Sequence, residues 1–229
     1  MTRLTTTAAG VFAIALGALG SPASAEGPVW RGDYVGRLEA FALLQQLNAD
    51  LLSHDSATLT LDRWCAAHQL ASPAKIVAEL DRAEAKPPSE EQRRLLQVGA
   101  DERVVYRHVR LKCGERVLSE AENWYVPSRL TPEMNTALET SDVAFGRAVR
   151  PLDFRRRTLS AKLAWSPLPD GWERGARAPA EDELRPPRTV IEHRAVLTLP
   201  NGMPFSAVVE NYTAEVLAFR EPDRSEVGR

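Results

Sequence analysis

The sequence predicts an α+β fold in which helices come first and a mostly antiparallel sheet follows. Three features carry this expectation. Between Gly36 and Leu96 apolar residues recur at helical spacing. Beyond Val98 the runs alternate with a period of two and are rich in β-branched residues. Asn201-Gly202 then joins two such runs, which is a strong hairpin signal.

The first residues read as a leader. Met1-Thr-Arg3 carries one positive charge, Thr7 to Gly20 is a short apolar run, and Ala23-Ser24-Ala25 has the small-x-small pattern of a cleavage site. A secretory signal peptide over 1–25, cut after Ala25, is expected. The run is shorter than the ~20 residues that span a bilayer, so an exported protein, periplasmic or secreted, is expected, with no stable membrane insertion after cleavage. Residues 26–220 are expected to form a single α+β domain, helical over 36–97 and sheet over 103–219. The charged residues 221–229 are expected to be a disordered tail.

Leu38, Phe41, Leu44, Leu47 and Leu51 mark one face of a helix over Gly36–Leu52. A second helix is expected over Leu61–Leu70. Ser72-Pro73 is expected to open a third, through Ile76, Val77 and Leu80, because proline suits the first helical turn. Lys86-Pro-Pro-Ser89 breaks the chain, and Ser89 with Gln92 forms a capping box for a short helix to Leu96. Strands follow over Val104–Leu111, Val117–Val126, Leu159–Trp165, Thr189–Leu199 and Met203–Phe219, with a short helix over Thr131–Leu138 and a further segment at Ala144–Val149. Pro167 to Pro187 holds five prolines and two glycines and reads as an exposed connection.

The formal charge is −2, and −3 once Arg3 leaves with the leader, so nucleic acid is not an expected partner. Cys65 and Cys113 allow two readings: a disulfide suited to an oxidising compartment, or two separate buried thiols. Nothing in the sequence sets the oligomeric state, and a monomer is favoured.

Alternation places Arg107 on the face of Val105, Val109 and Leu111, and Glu210 on the face of Val208 and Tyr212. A charge on an apolar face needs a partner or a ligand. An arginine and a glutamate facing one pocket suit a small acid with a polar group at its far end. The same pair also fits an internal ion pair with a structural role. Of Trp124 and Tyr125, one is expected in the core and one at the surface. Arg155-Arg-Arg157 reads as a solvated face.

Tyr106 to Phe219 resembles chorismate lyase, which converts chorismate to 4-hydroxybenzoate and pyruvate. The shared pattern is Arg107-His-Val-Arg-Leu111, the Cys113-Gly114 turn, and Ala121 through Val126-Pro127. Ala144-Phe145-Gly146-Arg147, Asn201-Gly-Met-Pro204 and Glu210 complete it. The resemblance implies a six-stranded antiparallel sheet with helices on one side, and helical flaps over a buried site. It implies that Arg107 binds a ring carboxylate, helped by backbone near Phe145 and Gly146, and that Glu210 meets the opposite end of the ring. On this basis Arg107 and Glu210 are the expected catalytic pair of a carbon–oxygen lyase, and Arg107, Phe145, Gly146 and Glu210 the expected binding residues. The partner would be a small aromatic or cyclohexadienyl carboxylate. The alternative is a periplasmic module for small aromatic acids with the same fold and no catalysis. The interval from Gly202 to Glu210 is one residue longer than the family's, which would turn Glu210 to the other face unless a bulge absorbs it.

No cofactor is implied. His54, His68, His108 and His193 form no HxxxH or HExxH arrangement, and no metal site is expected. Ser119, Ser160 and Ser206 lack a nucleophile-elbow context, which argues against a serine hydrolase.

Overall fold

Asp33 starts the first long helix by accepting a hydrogen bond from the Gly36 N–H at 2.7 Å, which satisfies one of the open donors of the first turn. The computed structural model describes residues 27–83 and 85–219; the leader read over 1–25 and the tail read over 221–229 lie outside the described residues. Within them the order is β1 (Trp30–Arg31), α1 (Tyr34–Leu52), α2 (Ala57–Ala67), β2 (Ile76–Asp81), α3 (Glu90–Leu96), β3 (Val105–Cys113) and β4 (Arg116–Tyr125). There follow α4 (Pro132–Thr140), α5 (Phe145–Ala148), β5 (Arg155–Leu163), β6 (Glu183–Leu184), β7 (Thr189–Thr198) and β8 (Pro204–Thr213).

Six strands form one antiparallel sheet in the order β2-β3-β4-β8-β7-β5. This is the expected α+β class. The β7–β8 hairpin turns at Asn201-Gly202, where Gly202 takes φ +85°, a conformation that favours glycine. One face of the sheet carries α1 and α2. Leu44, Leu47 and Leu51 of α1 and Leu61 of α2 are fully buried against Val109, Leu111, Ile191 and Tyr212. Each such leucine contributes about 1.5–3 kcal/mol by leaving water. The Cys65–Cys113 disulfide, Cα–Cα 6.2 Å, ties the end of α2 to the end of β3. A second cluster joins α4 and α5 to Tyr125, Leu197 and Phe205.

Several expectations are corrected. Ile76–Asp81 is an edge strand and not a helix: Ile76 and Ala78 are buried while Val77 is exposed, and the Ile76 N–H is taken by the Asp62 side chain at 2.7 Å. Apolar spacing over five residues fits either period, and pairing with β3 decides for the strand. Helices do not keep to one side. α3, begun by the expected Ser89–Gln92 capping box, covers the other face through Leu96, with Trp124, Val126, Val196 and Ala207 beneath it. Trp124 and Tyr125 are therefore both core, one on each face. The connection after Pro167 is not wholly exposed: Leu168 and Leu184 are buried, and β6 pairs with β1.

Candidate functional site

Arg107 projects from the middle of β3 toward the helices, as alternation dictates, and is 6 % exposed. It stands opposite Asn123 of β4, which stands opposite Val208 of β8. Glu210 lies one row further along β8, opposite Ala121, on the same face. The register of the hairpin shifts between Leu197 and Thr198, so one residue is absorbed there and Glu210 stays on the inner face. Two strand spacings and one row along the strand separate Arg107 from Glu210, roughly 12 Å, so they form opposite walls and not a pair.

The space between them is a cavity of about 50 Å³. Its floor is sheet: Arg107, Val109, Asn123, Ser206, Val208 and Glu210. Its roof is the start of α2 (Ser56, Ala57, Thr58) and of α5 (Phe145, Gly146), and Asp55, Phe154 and Arg156 close the side. Gly146 lets the two roof helices meet: a Cβ there would lie 2.7 Å from the Ser56 hydroxyl oxygen, which caps α2 by accepting from Leu59 N–H at 3.3 Å. Arg147 pins α5 in place, donating to Asp62 at 2.6 Å and to the Ile76 carbonyl at 3.1 Å. The Phe145 ring packs on Tyr125 at 5.5 Å and on Phe205 at 6.3 Å.

Among the described residues Arg107 has no carboxylate partner. Its Nη2 donates to the Val143 carbonyl at 2.6 Å, and its Nε and Nη1 are buried with no acceptor. Burial lowers its pKa to about 10, against an ordinary guanidinium value of 12.5. Glu210, in contrast, is occupied. Arg156 donates to both of its oxygens, at 2.5 and 3.4 Å, and the Tyr212 hydroxyl donates at 3.1 Å. The two side chains are 4 % and 8 % exposed. Burial opposes the Arg156 charge, but the Glu210 carboxylate outweighs it and holds the guanidinium pKa above its ordinary value. Burial, with Glu210 beside it, pushes the Tyr212 phenol well up, and burial holds the His193 imidazole below its ordinary value. His193 lies across the strands from Glu210 and meets Asn48 of α1 at 2.8 Å.

Arg156 was not legible as a site residue, and the solvated reading of Arg155-Arg-Arg157 is corrected for it. The signal was present: Phe154 is buried, so alternation along β5 turns Arg156 inward and Arg155 and Arg157 outward. Asn123 was also missed. The Ser206 hydroxyl donates to its Oδ1 at 2.6 Å, which leaves the amide nitrogen as a donor on the cavity wall. Among the described residues no group of three His, Cys, Asp or Glu is placed to hold a metal, and no helix is long and apolar enough to cross a membrane.

Fold and site together define an α+β domain with an arginine-lined cavity between its sheet and the starts of α2 and α5. No family model matches the chain. It is 58 % identical over 196 residues to the uncharacterized protein y4mC of Sinorhizobium fredii, covering 84 % of this chain and 83 % of that one, and it belongs to the same family. Similar solved structures are transcriptional regulators. PhnF of Mycobacterium smegmatis matches at TM-score 0.45 and 14 % identity over 73 % of this chain and 67 % of that one. The effector domain of PhnF matches at 0.42 and 15 %, over 66 % and 87 %. The possible regulator YydK of Bacillus subtilis matches at 0.39 and 17 %; 64 % of this chain is covered, and the chain spans only 62 % of that regulator. The expectation of a pyruvate-eliminating lyase, and with it the alternative of a periplasmic module for aromatic acids, is corrected. Glu210 does not face the cavity as a free carboxylate but is held by Arg156.

Proposed function

We propose that this chain is an effector-type ligand-binding domain whose cavity takes a small organic anion, with Arg107 as the residue that holds the anionic group. The observation that carries this reading is the pair of Arg107 N–H groups, buried without an acceptor on the wall of a cavity. An unpaired buried cation costs the protein stability, and a bound carboxylate or similar oxyanion would supply the missing acceptors in a two-pronged contact. The surroundings support it. Asn123 adds a donor, and the N–H groups of Ala57 and Thr58 in the first turn of α2 have no intrahelical acceptor and lie at the positive end of the helix.

The roof supplies a way for binding to be felt elsewhere. Arg107 already holds the Val143 carbonyl, one residue before the cap of α5. An anion that draws Arg107 away from Val143 would alter the seating of α5 on α2.

The test is a panel of small organic acids screened by thermal shift and then by titration calorimetry, on the wild type and on Arg107→Gln. At least one acid should raise the melting temperature of the wild type and leave Arg107→Gln unmoved. Equal shifts in both proteins would remove Arg107 from the site.

A further inference from the structure

Three of the charged groups around the cavity are strongly buried, and two of those cancel. Arg156 and Glu210 meet through both carboxylate oxygens, and Tyr212 adds a third hydrogen bond to the same group. Asp55, at the side, is matched by Arg155 at 3.5 Å and accepts the Arg156 backbone N–H at 2.7 Å. Tyr212 and His193, the titratable groups packed behind Glu210, stay neutral at pH 7 because burial works against their charged forms. What remains is Arg107.

We infer that Glu210 is a charge filter: by neutralising Arg156 it leaves the cavity with the single positive charge of Arg107, and it thereby selects organic anions of charge −1 over those of charge −2. The inference rests on the reading of the cavity as a ligand site held by Arg107. Beyond Arg107, a second anionic group in this cavity finds, among the described lining residues, no buried cation that lacks a carboxylate partner. Its desolvation is uncompensated, because Glu210 already occupies the Arg156 guanidinium. Without Glu210, the same cavity would be lined by two arginines with no carboxylate between them, Arg107 from β3 and Arg156 reaching in from β5, which suits an anion charged at both ends. The Nε of Arg156, also buried with no acceptor, shows that this guanidinium still has a donor to give.

The test uses two pairs of near-equal shape and unequal charge, small enough for a cavity of this size: oxamate against oxalate, and malonamate against malonate, each titrated calorimetrically at pH 7. In the wild type the singly charged member should bind at least roughly tenfold more tightly, a difference calorimetry resolves easily. In Glu210→Gln the order should invert in favour of the doubly charged member. Should Glu210→Gln fail to fold, Arg156→Gln/Glu210→Gln removes both charges, and the preference for the singly charged member should persist in it. Equal wild-type affinities within a pair, an unchanged order in Glu210→Gln, or a gained preference for the doubly charged member in the double variant would each overturn the filter. If no member of either pair binds the wild type in a manner lost in Arg107→Gln, the ligand-site reading itself falls. That outcome is distinct from binding without discrimination, which removes the filter alone.

Discussion

Replacing Arg107 with methionine should make the unliganded protein more stable while abolishing its anion binding. The magnitude follows from the site. Arg107 is 6 % exposed, two of its three nitrogens have no acceptor, and burial lowers its pKa from 12.5 to about 10. Below pH 10 the guanidinium is charged in both folded and unfolded chains, and the depressed folded value means the charge is less favourable in the folded state. A depression of that size corresponds to about 3 kcal/mol at neutral pH, as an order of magnitude. Methionine has a similar length, fills the space and carries no charge. The variant loses the hydrogen bond to the Val143 carbonyl, about 1 kcal/mol. The net gain is about 2 kcal/mol, or a rise of about 4–8 °C in Tm for a domain of this size. Calorimetric melting in a buffer free of carboxylate, phosphate and sulfate measures it, and a titration series with the panel acids measures the loss of binding. The wild type should also gain stability as pH rises past about 10, where folded Arg107 sheds its proton, and the variant should lack that gain. A variant with a lower Tm in that buffer would refute the reasoning, because Arg107 would then be satisfied by the fold itself.

Other parts of the structure make separate predictions. Arg156→Met or Glu210→Met alone should cost about 3–5 kcal/mol by leaving a buried charge unpaired, whereas the double replacement should be close to neutral, a coupling that a double-mutant cycle in denaturant reads directly. Gly146→Ala should destabilise by about 1–2 kcal/mol, because the new Cβ displaces the Ser56 hydroxyl from its capping contact; adding Ser56→Ala should make the second change nearly free, and melting curves of the three variants decide it. Reducing the Cys65–Cys113 bond, or replacing both residues with serine, should cost about 4 kcal/mol for a loop of 48 residues, seen as a lower denaturant midpoint. We propose export for the chain, on the leader read over 1–25; mass spectrometry of the protein from its native cell should find an N-terminus at Glu26, and an intact Met1 leader would end that proposal.

Much of the fold was readable because it depends on local chemistry. The Ser89–Gln92 capping box, the Asn201-Gly202 turn and the alternation in β3, β4 and β8 each act over a few residues, and each is present where the sequence places it. Alternation also put Arg107 on the buried face, since a strand's two faces follow from its covalent geometry, while the face of Glu210 waited on the register shift in the hairpin. The stretch from Ile76 to Leu80 was misread because five residues fit a helix or a strand equally, and only the exposed backbone edge of β3 chooses between them.

The sequence by itself determined the class of fold, the first long helix and the capped helix at Ser89, the hairpin, and the inward face of Arg107. The tertiary structure alone decided which of the inward charges has a partner. Arg156 and Glu210 lie 54 residues apart, on β5 and β8, and meet because β7 pairs with both strands and the Arg156 side chain reaches across it. No local rule links them. Arg107, turned inward by the same alternation, meets no carboxylate among the described residues, and its missing acceptors mark the cavity. The physical reason is one of range: face and turn are set by bonds and neighbours in the chain, whereas the fate of a buried charge is set by whatever the completed sheet and its roof bring within about 4 Å.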